Sequence, residues 1–134
     1  HQLQLQKHFT RVGEGPGPDP SLLNHVDQAF IDRIITYIIS HLNKPQLGAA
    51  ELAQEMALSK TQLYRKIKAV SGQSTAIFIR NVRLDQARQL LKEDSLSITD
   101  VAYMTGFSDP NYFSRKFKER FGQSPRSLRK TGHA

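Results

Sequence analysis

The stretch SKTQLYRKIKAVSGQS, residues 59–74, comes back as SDPNYFSRKFKERFGQS, residues 108–124, and that return decides the fold. In the first copy Ser59 followed three residues later by Gln62 is a capping-box signal, so a helix opens there. Leu63, Ile67 and Val70 give it one apolar stripe before Gly72 stops it. In the second copy Asp109 and Pro110 supply an N-cap and a first-turn proline, and Phe113, Phe117 and Phe121 form the stripe. At an offset of 50, Arg65, Lys66, Lys68, Gly72, Gln73 and Ser74 match Arg115, Lys116, Lys118, Gly122, Gln123 and Ser124. Ala53 and Ser59 match Ala102 and Ser108 at an offset of 49, so the second copy carries one inserted residue. A shorter helix precedes each copy. One spans Gly48 to Met56, burying Leu52, Ala53 and Met56, and turns at Ala57-Leu58-Ser59. The other opens at Ser97 with Asp100, runs through Met104 and turns at Gly106-Phe107-Ser108. Two helices about a three-residue turn make a helix-turn-helix, and this chain uses it twice.

Working outward, Ser74 caps a helix predicted over residues 75–92, with Ile77, Leu84, Ala87 and Leu91 on one stripe and Phe78 and Val82 beside it. Its eighteen residues make a rod about 27 Å long. Upstream, Ser21 or Asn24 can cap a helix whose apolar positions Val26, Phe30, Ile31, Ile34, Ile35, Ile38 and Leu42 recur at helical spacing, ending near Asn43-Lys44-Pro45. A last short helix follows Ser124-Pro125. Residues 13–20, with three Gly and three Pro, can hold neither helix nor central strand. The expected organisation is a flexible linker over 1–20 and one all-α domain over 21–134. Its first unit covers about 46–72, its central helix about 75–92 and its second unit about 97–122, with the residue 21–45 helix packed on the first unit. His1 in place of Met reads as a piece of something longer.

Composition narrows the function. The 134 residues and 15.2 kDa suit one compact domain. Nineteen Lys plus Arg against twelve Asp plus Glu give +7 and a sequence pI near 9.9, which points to an anionic partner. Residues 1–44 are neutral, with Lys7, Arg11, Arg33 and Lys44 against Glu14, Asp19, Asp27 and Asp32, so the whole excess lies in residues 45–134. The absence of cysteine excludes disulfides, thiolate metal sites and a cysteine nucleophile. The longest apolar run, residues 34–39, is far short of the roughly 18 needed to cross a bilayer. His1, His8, His25, His41 and His133 form no ligand spacing on a helix, so no metal and no cofactor is expected. No Walker loop, GxSxG or HExxH is present, and no catalytic residue is assigned.

A helix-turn-helix offers the start of its second helix to the major groove, where long polar side chains read base edges. Lys60, Thr61, Gln62, Tyr64 and Arg65 occupy those turns in the first unit, with Arg65 suited to guanine and Gln62 to adenine. Asn111, Tyr112, Ser114 and Arg115 occupy them in the second. The expected base readers are thus Thr61, Gln62, Tyr64, Arg65, Asn111, Tyr112, Ser114 and Arg115. The expected phosphate partners are Lys60, Lys66, Lys68, Lys116 and Lys118.

The segment from about Gln46 to Arg129, close to two-thirds of the chain, resembles the DNA-binding domain of AraC/XylS-type transcription regulators. The resemblance rests on ELAQEMALSKTQLYRKIKAVSGQS (51–74), RLDQARQLL (83–91) and ITDVAYMTGFSDPNYFSRKFKERFGQSP (98–125). It implies a seven-helix all-α arrangement, a bacterial regulator, double-stranded DNA as partner, and base contacts at Thr61, Tyr64 and Arg65. LSKTQLYRKIKAVSGQS and GFSDPNYFSRKFK are most similar to output domains of hybrid two-component regulators. That similarity implies a receiver domain upstream. Dimerisation is expected through domains outside this chain, RNA polymerase is a further candidate partner, and the expected location is cytoplasmic with no membrane contact by this segment.

Plainer readings stand beside these. Arg80, Arg83 and Arg88 are expected to have structural or solvated roles, as in pairing with Asp85 or neighbouring carboxylates, Asp109 to cap its helix, and Tyr103, Phe107, Phe113 and Phe117 to lie in the core. Tyr64 stays open between surface filler and base reader. The alternative function is a basic helical protein-interaction module without sequence-specific DNA reading.

Overall fold

The computed structural model describes residues 25–132; the expected linker over 1–20, the caps at Ser21 and Asn24, and residues 133–134 lie outside them. The described residues form seven helices and no strand: α1 (His25–Ser40), α2 (Ala49–Glu55), α3 (Lys60–Ser71), α4 (Thr75–Leu90), α5 (Ile98–Met104), α6 (Pro110–Phe121) and α7 (Pro125–Gly132). The helix starts follow the sequence signals. The Ser59 hydroxyl accepts from Gln62 N at 3.1 Å while Gln62 Oε1 accepts from Ser59 N at 2.9 Å. Ser97 and Asp100 exchange the same pair of bonds at 2.9 and 3.2 Å. Asp109 Oδ1 accepts from Asn111 N at 2.9 Å, which fixes that carboxylate as a cap.

The second helices of the two units, α3 and α6, end alike. Gly72 and Gly122 sit in the left-handed region at φ 76° and 81°, each donating its N–H to the carbonyl four residues back at 2.8 Å. The two turns are also built alike. Leu58 N donates to Ala53 O and Phe107 N to Ala102 O, both at 2.9 Å, around a left-handed residue that is Ala57 (φ 57°) in one unit and Gly106 (φ 88°) in the other. An alanine in that region costs about 1–2 kcal/mol. Ala57→Gly is therefore expected to raise the unfolding free energy by about 1 kcal/mol, read from urea unfolding; a loss of stability would show that the alanine methyl packs usefully there.

Packing divides into two cores that share α4. The first gathers Phe30, Ile31, Ile34, Ile35 and Ile38 of α1 with Leu52, Leu63 and Ile67 of the first unit and Phe78, Ile79 and Val82 of α4. The second gathers Leu84 and Ala87 of α4, then Leu91, Val101, Phe107, Phe113 and Phe117. At roughly 100° per residue, Val82 and Leu84 lie about 200° apart around α4, so the two units dock on nearly opposite faces of one rod. The sixteen residues of α4 span about 24 Å, two fewer than expected.

That division corrects three expectations about apolar positions. Ile77 shares its stripe with Leu84 and Leu91 but lies one heptad before the second core begins, and is left 40% exposed. Tyr103 is 52% exposed and not core, because α5 buries Val101 and Ala102 and turns Tyr103 outward. Val26 belongs to the predicted stripe of α1 but is exposed in its first turn, short of the core.

The arginines of α4 correct a fourth. Arg83 does not pair with a carboxylate. It is 5% exposed and its guanidinium donates to three backbone carbonyls: Leu42 at 2.6 Å, Thr105 at 2.9 Å and Lys44 at 2.9 Å. Burial lowers its pKa from the ordinary value. α1 stops at Ser40 and not near Pro45, and beyond its end the carbonyls of residues 42 and 44 meet Arg83. Asp85 is bound by Arg120 of α6, Nε to Oδ1 at 2.9 Å and Nη2 to Oδ2 at 3.0 Å. Arg88 lies over the Phe121 ring, 4.4 Å from its centroid. Arg129 of α7 closes the far end of the rod, donating to Leu91 O at 2.9 Å and Glu93 O at 3.1 Å.

Candidate nucleic-acid interface

α3 buries Leu63, Ile67, Val70 and Ser71 and leaves Lys60, Thr61, Gln62, Tyr64, Arg65 and Lys68 exposed. Its predicted base-reading set therefore emerges together on the outer side of the first turns. Gln62 carries two duties, since its carboxamide oxygen is held by the cap and only its amide NH2 faces outward chemistry. Arg65 is exposed on the next turn.

α6 buries Phe113 and Phe117 and exposes Asn111, Arg115 and Lys118, with Tyr112, Ser114 and Lys116 half-buried. Tyr112 is more embedded than its sequence position suggests. Its ring packs 6.3 Å from Phe107, and the Arg115 and Lys116 cations sit 5.8 and 5.7 Å from its centroid. Gln62, its counterpart in the first unit, offers no such platform. The two recognition helices thus share a scaffold and differ in what they present: Thr61, Tyr64 and Arg65 on one, Asn111 and Arg115 on the other.

The lysines divide as well. Lys60, Lys68 and Lys118 are exposed. Lys68 Nζ donates to Gly72 O at 3.2 Å, closing the end of its own helix. Lys66 is half-buried with Nζ 4.9 Å above the Phe30 ring, so α1 touches the back of the first recognition helix. Lys116 Nζ lies 3.3 Å from Glu119 Oε1, whose side chain is exposed, a helical pair of small energetic weight. One surface residue was missed from sequence: Tyr103 lies on the first helix of the second unit, the helix that crosses the backbone in such folds. The signal was in the repeat, which aligns Tyr103 with the polar Gln54.

Among the described residues no group of three His, Cys, Asp or Glu is placed to hold a metal, and no helix is long and apolar enough to cross a membrane. Two basic second helices on one helical rod define a double helix-turn-helix nucleic-acid binder.

The chain matches the family model described as a helix-turn-helix domain over residues 52–131 and belongs to that family, the AraC-type DNA-binding domains of transcription regulators. It is 44% identical over 79 residues to the HTH-type transcriptional activator RhaS of Yersinia pestis, covering 59% of this chain and 29% of that protein. It is 29% identical over 108 residues to histidine kinase P4 of Formosa agariphila, covering 81% of this chain and 8% of that protein. The chain thus spans less than a third of either relative. Among solved structures it is similar to the C-terminal domain of AraT, a response regulator from Geobacillus stearothermophilus, at 29% identity and a TM-score of 0.69, covering 82% of this chain and 88% of that one. The family is one of DNA-binding regulator domains and not of enzymes.

Proposed function

We propose that the domain reads two successive major-groove segments of duplex DNA, one with each recognition helix. Thr61, Gln62, Tyr64 and Arg65 meet one set of base edges and Asn111, Ser114 and Arg115 the other. Tyr112 supports Arg115 from behind. Lys60, Lys66, Lys68, Lys116 and Lys118 supply backbone affinity, and exposed Tyr103 meets the sugar-phosphate edge beside the second unit. The observation that carries this is the orientation of α3 and α6: each buries its apolar stripe and turns the polar side chains of its opening turns outward. Residues 21–134 act as one such domain. The similarity to a histidine kinase and to a response regulator's C-terminal domain supports a two-component output role, with kinase or receiver parts elsewhere in the protein, on the cytoplasmic side. Dimerisation through those parts and contact with RNA polymerase belong to the same reading.

Selection from a random duplex library at moderate salt tests it. Two short motifs about 10 base pairs apart are expected. Arg65→Ala should blur one and Arg115→Ala the other, each costing about 1–3 kcal/mol of discrimination. Enrichment that neither substitution changes would remove these two residues from the reading surface, and no enrichment would favour a protein-interaction module.

A further inference from the structure

The two cores meet at a short polar layer. Between Val82, the last α4 residue of the first core, and Leu84, the first of the second, stands Arg83. Its three acceptors come from both sides: Leu42 and Lys44 belong to the segment after α1, which is packed in the first core, and Thr105 belongs to the turn of the second unit. Gly106 lies against the same guanidinium, so closely that a Cβ built there would fall 1.5 Å from Nη1 and 2.5 Å from Leu42 O. Each unit keeps its own apolar core without Arg83. What a single shared helix does not fix is the angle at which two units on opposite faces stand to each other.

We propose that Arg83, seated against Gly106, fixes that angle and thereby sets the base-pair spacing the domain demands between its two half-sites. It is a positioning residue, remote from the bases. The assignment rests on the two-site reading above, and its physical reason is simple. Three short bonds from one planar, buried group to backbone on both units resist rotation in a way that exposed side-chain pairs do not. Spacing is read through rigidity, because a half-site displaced by about five base pairs faces the other side of the duplex.

These 134 residues contain no cysteine, so labels can be placed on them cleanly. Ala50→Cys and Thr99→Cys, exposed and equivalent at an offset of 49, carry nitroxides for a pulsed electron-paramagnetic distance measurement without DNA. A narrow distance distribution is expected in the parent background, broadening about twofold with Arg83→Met and less with Arg83→Lys, which keeps the charge but fewer donors. Val101→Ala, which destabilises the second core, should leave the width unchanged. On duplexes with both motifs at separations stepped through one turn, the parent should lose about tenfold in affinity from best to worst spacing. Arg83→Met should lose less than about threefold while still preferring each motif over a scrambled one; if it fails to fold, Arg83→Lys is read for the same flattening. A distance distribution and a spacing profile both as sharp as the parent's would overturn the assignment and leave two-site reading intact. A parent that gains nothing from the second motif would overturn the two-site reading, and the spacing role with it.

Discussion

Asp85→Ala is expected to lower the unfolding free energy by about 3–5 kcal/mol, because it strands the Arg120 guanidinium in the interior. The pair is bidentate at 2.9 and 3.0 Å, with side chains only 3% and 6% exposed. For a domain whose whole stability is about 5–15 kcal/mol, that is a large fraction. The contrast is the Arg33–Glu55 pair, 3.9 Å apart with side chains 61% and 47% exposed, where Glu55→Ala should cost less than about 1 kcal/mol. The double change Asp85→Leu with Arg120→Met should recover most of the loss, since an apolar pair of similar size has no charge to desolvate. Urea unfolding followed by helical circular dichroism measures all three. A loss under 1 kcal/mol for Asp85→Ala would mean that water reaches Arg120 once its partner is gone. The consequence reaches function: Arg120 sits in the last turns of the second recognition helix, so the pair ties that helix to the central rod.

Gly106→Ala is expected to cost about 2–5 kcal/mol, from two sources. A left-handed alanine loses about 1–2 kcal/mol, and displacing Arg83 leaves buried carbonyls without their donor at about 1–3 kcal/mol. Gly122 separates the two: its φ of 81° is nearly that of Gly106 at 88°, but nothing lies within 4 Å of a Cβ built there. Gly122→Ala should therefore show the conformational cost alone. Equal losses at the two glycines would mean that Arg83 yields to the methyl freely, and the rigid seat described for it would be wrong.

Much of the site was legible because it is built from local rules. The caps at Ser59, Ser97 and Asp109, the glycine stops at Gly72 and Gly122, and the outward placement of Arg65 and Arg115 all follow from spacing within one helix and its ends. The errors fell where one stripe was asked to serve one core. Ile77 keeps the spacing of Leu84 and Leu91, yet it stays partly exposed, because it lies one heptad before the second core begins. Tyr103 is aromatic, but its face of α5 is the outer one, and the repeat partner Gln54 carried that information.

Residue order alone was enough to specify seven helices in the described span, two copies of one helix-turn-helix and the polar faces of α3 and α6. Capping, periodicity and a repeat act over a few residues each and leave their mark in residue order. Which charges are buried, and with whom, depends on how the helices dock. Arg83 reaches the carbonyls of Leu42, Lys44 and Thr105, and Asp85 reaches Arg120, across 22 to 41 residues of chain. A carbonyl acceptor is present on every residue, so residue identity could not mark those partners; the docking of two cores on opposite faces of α4 brought them within bonding distance.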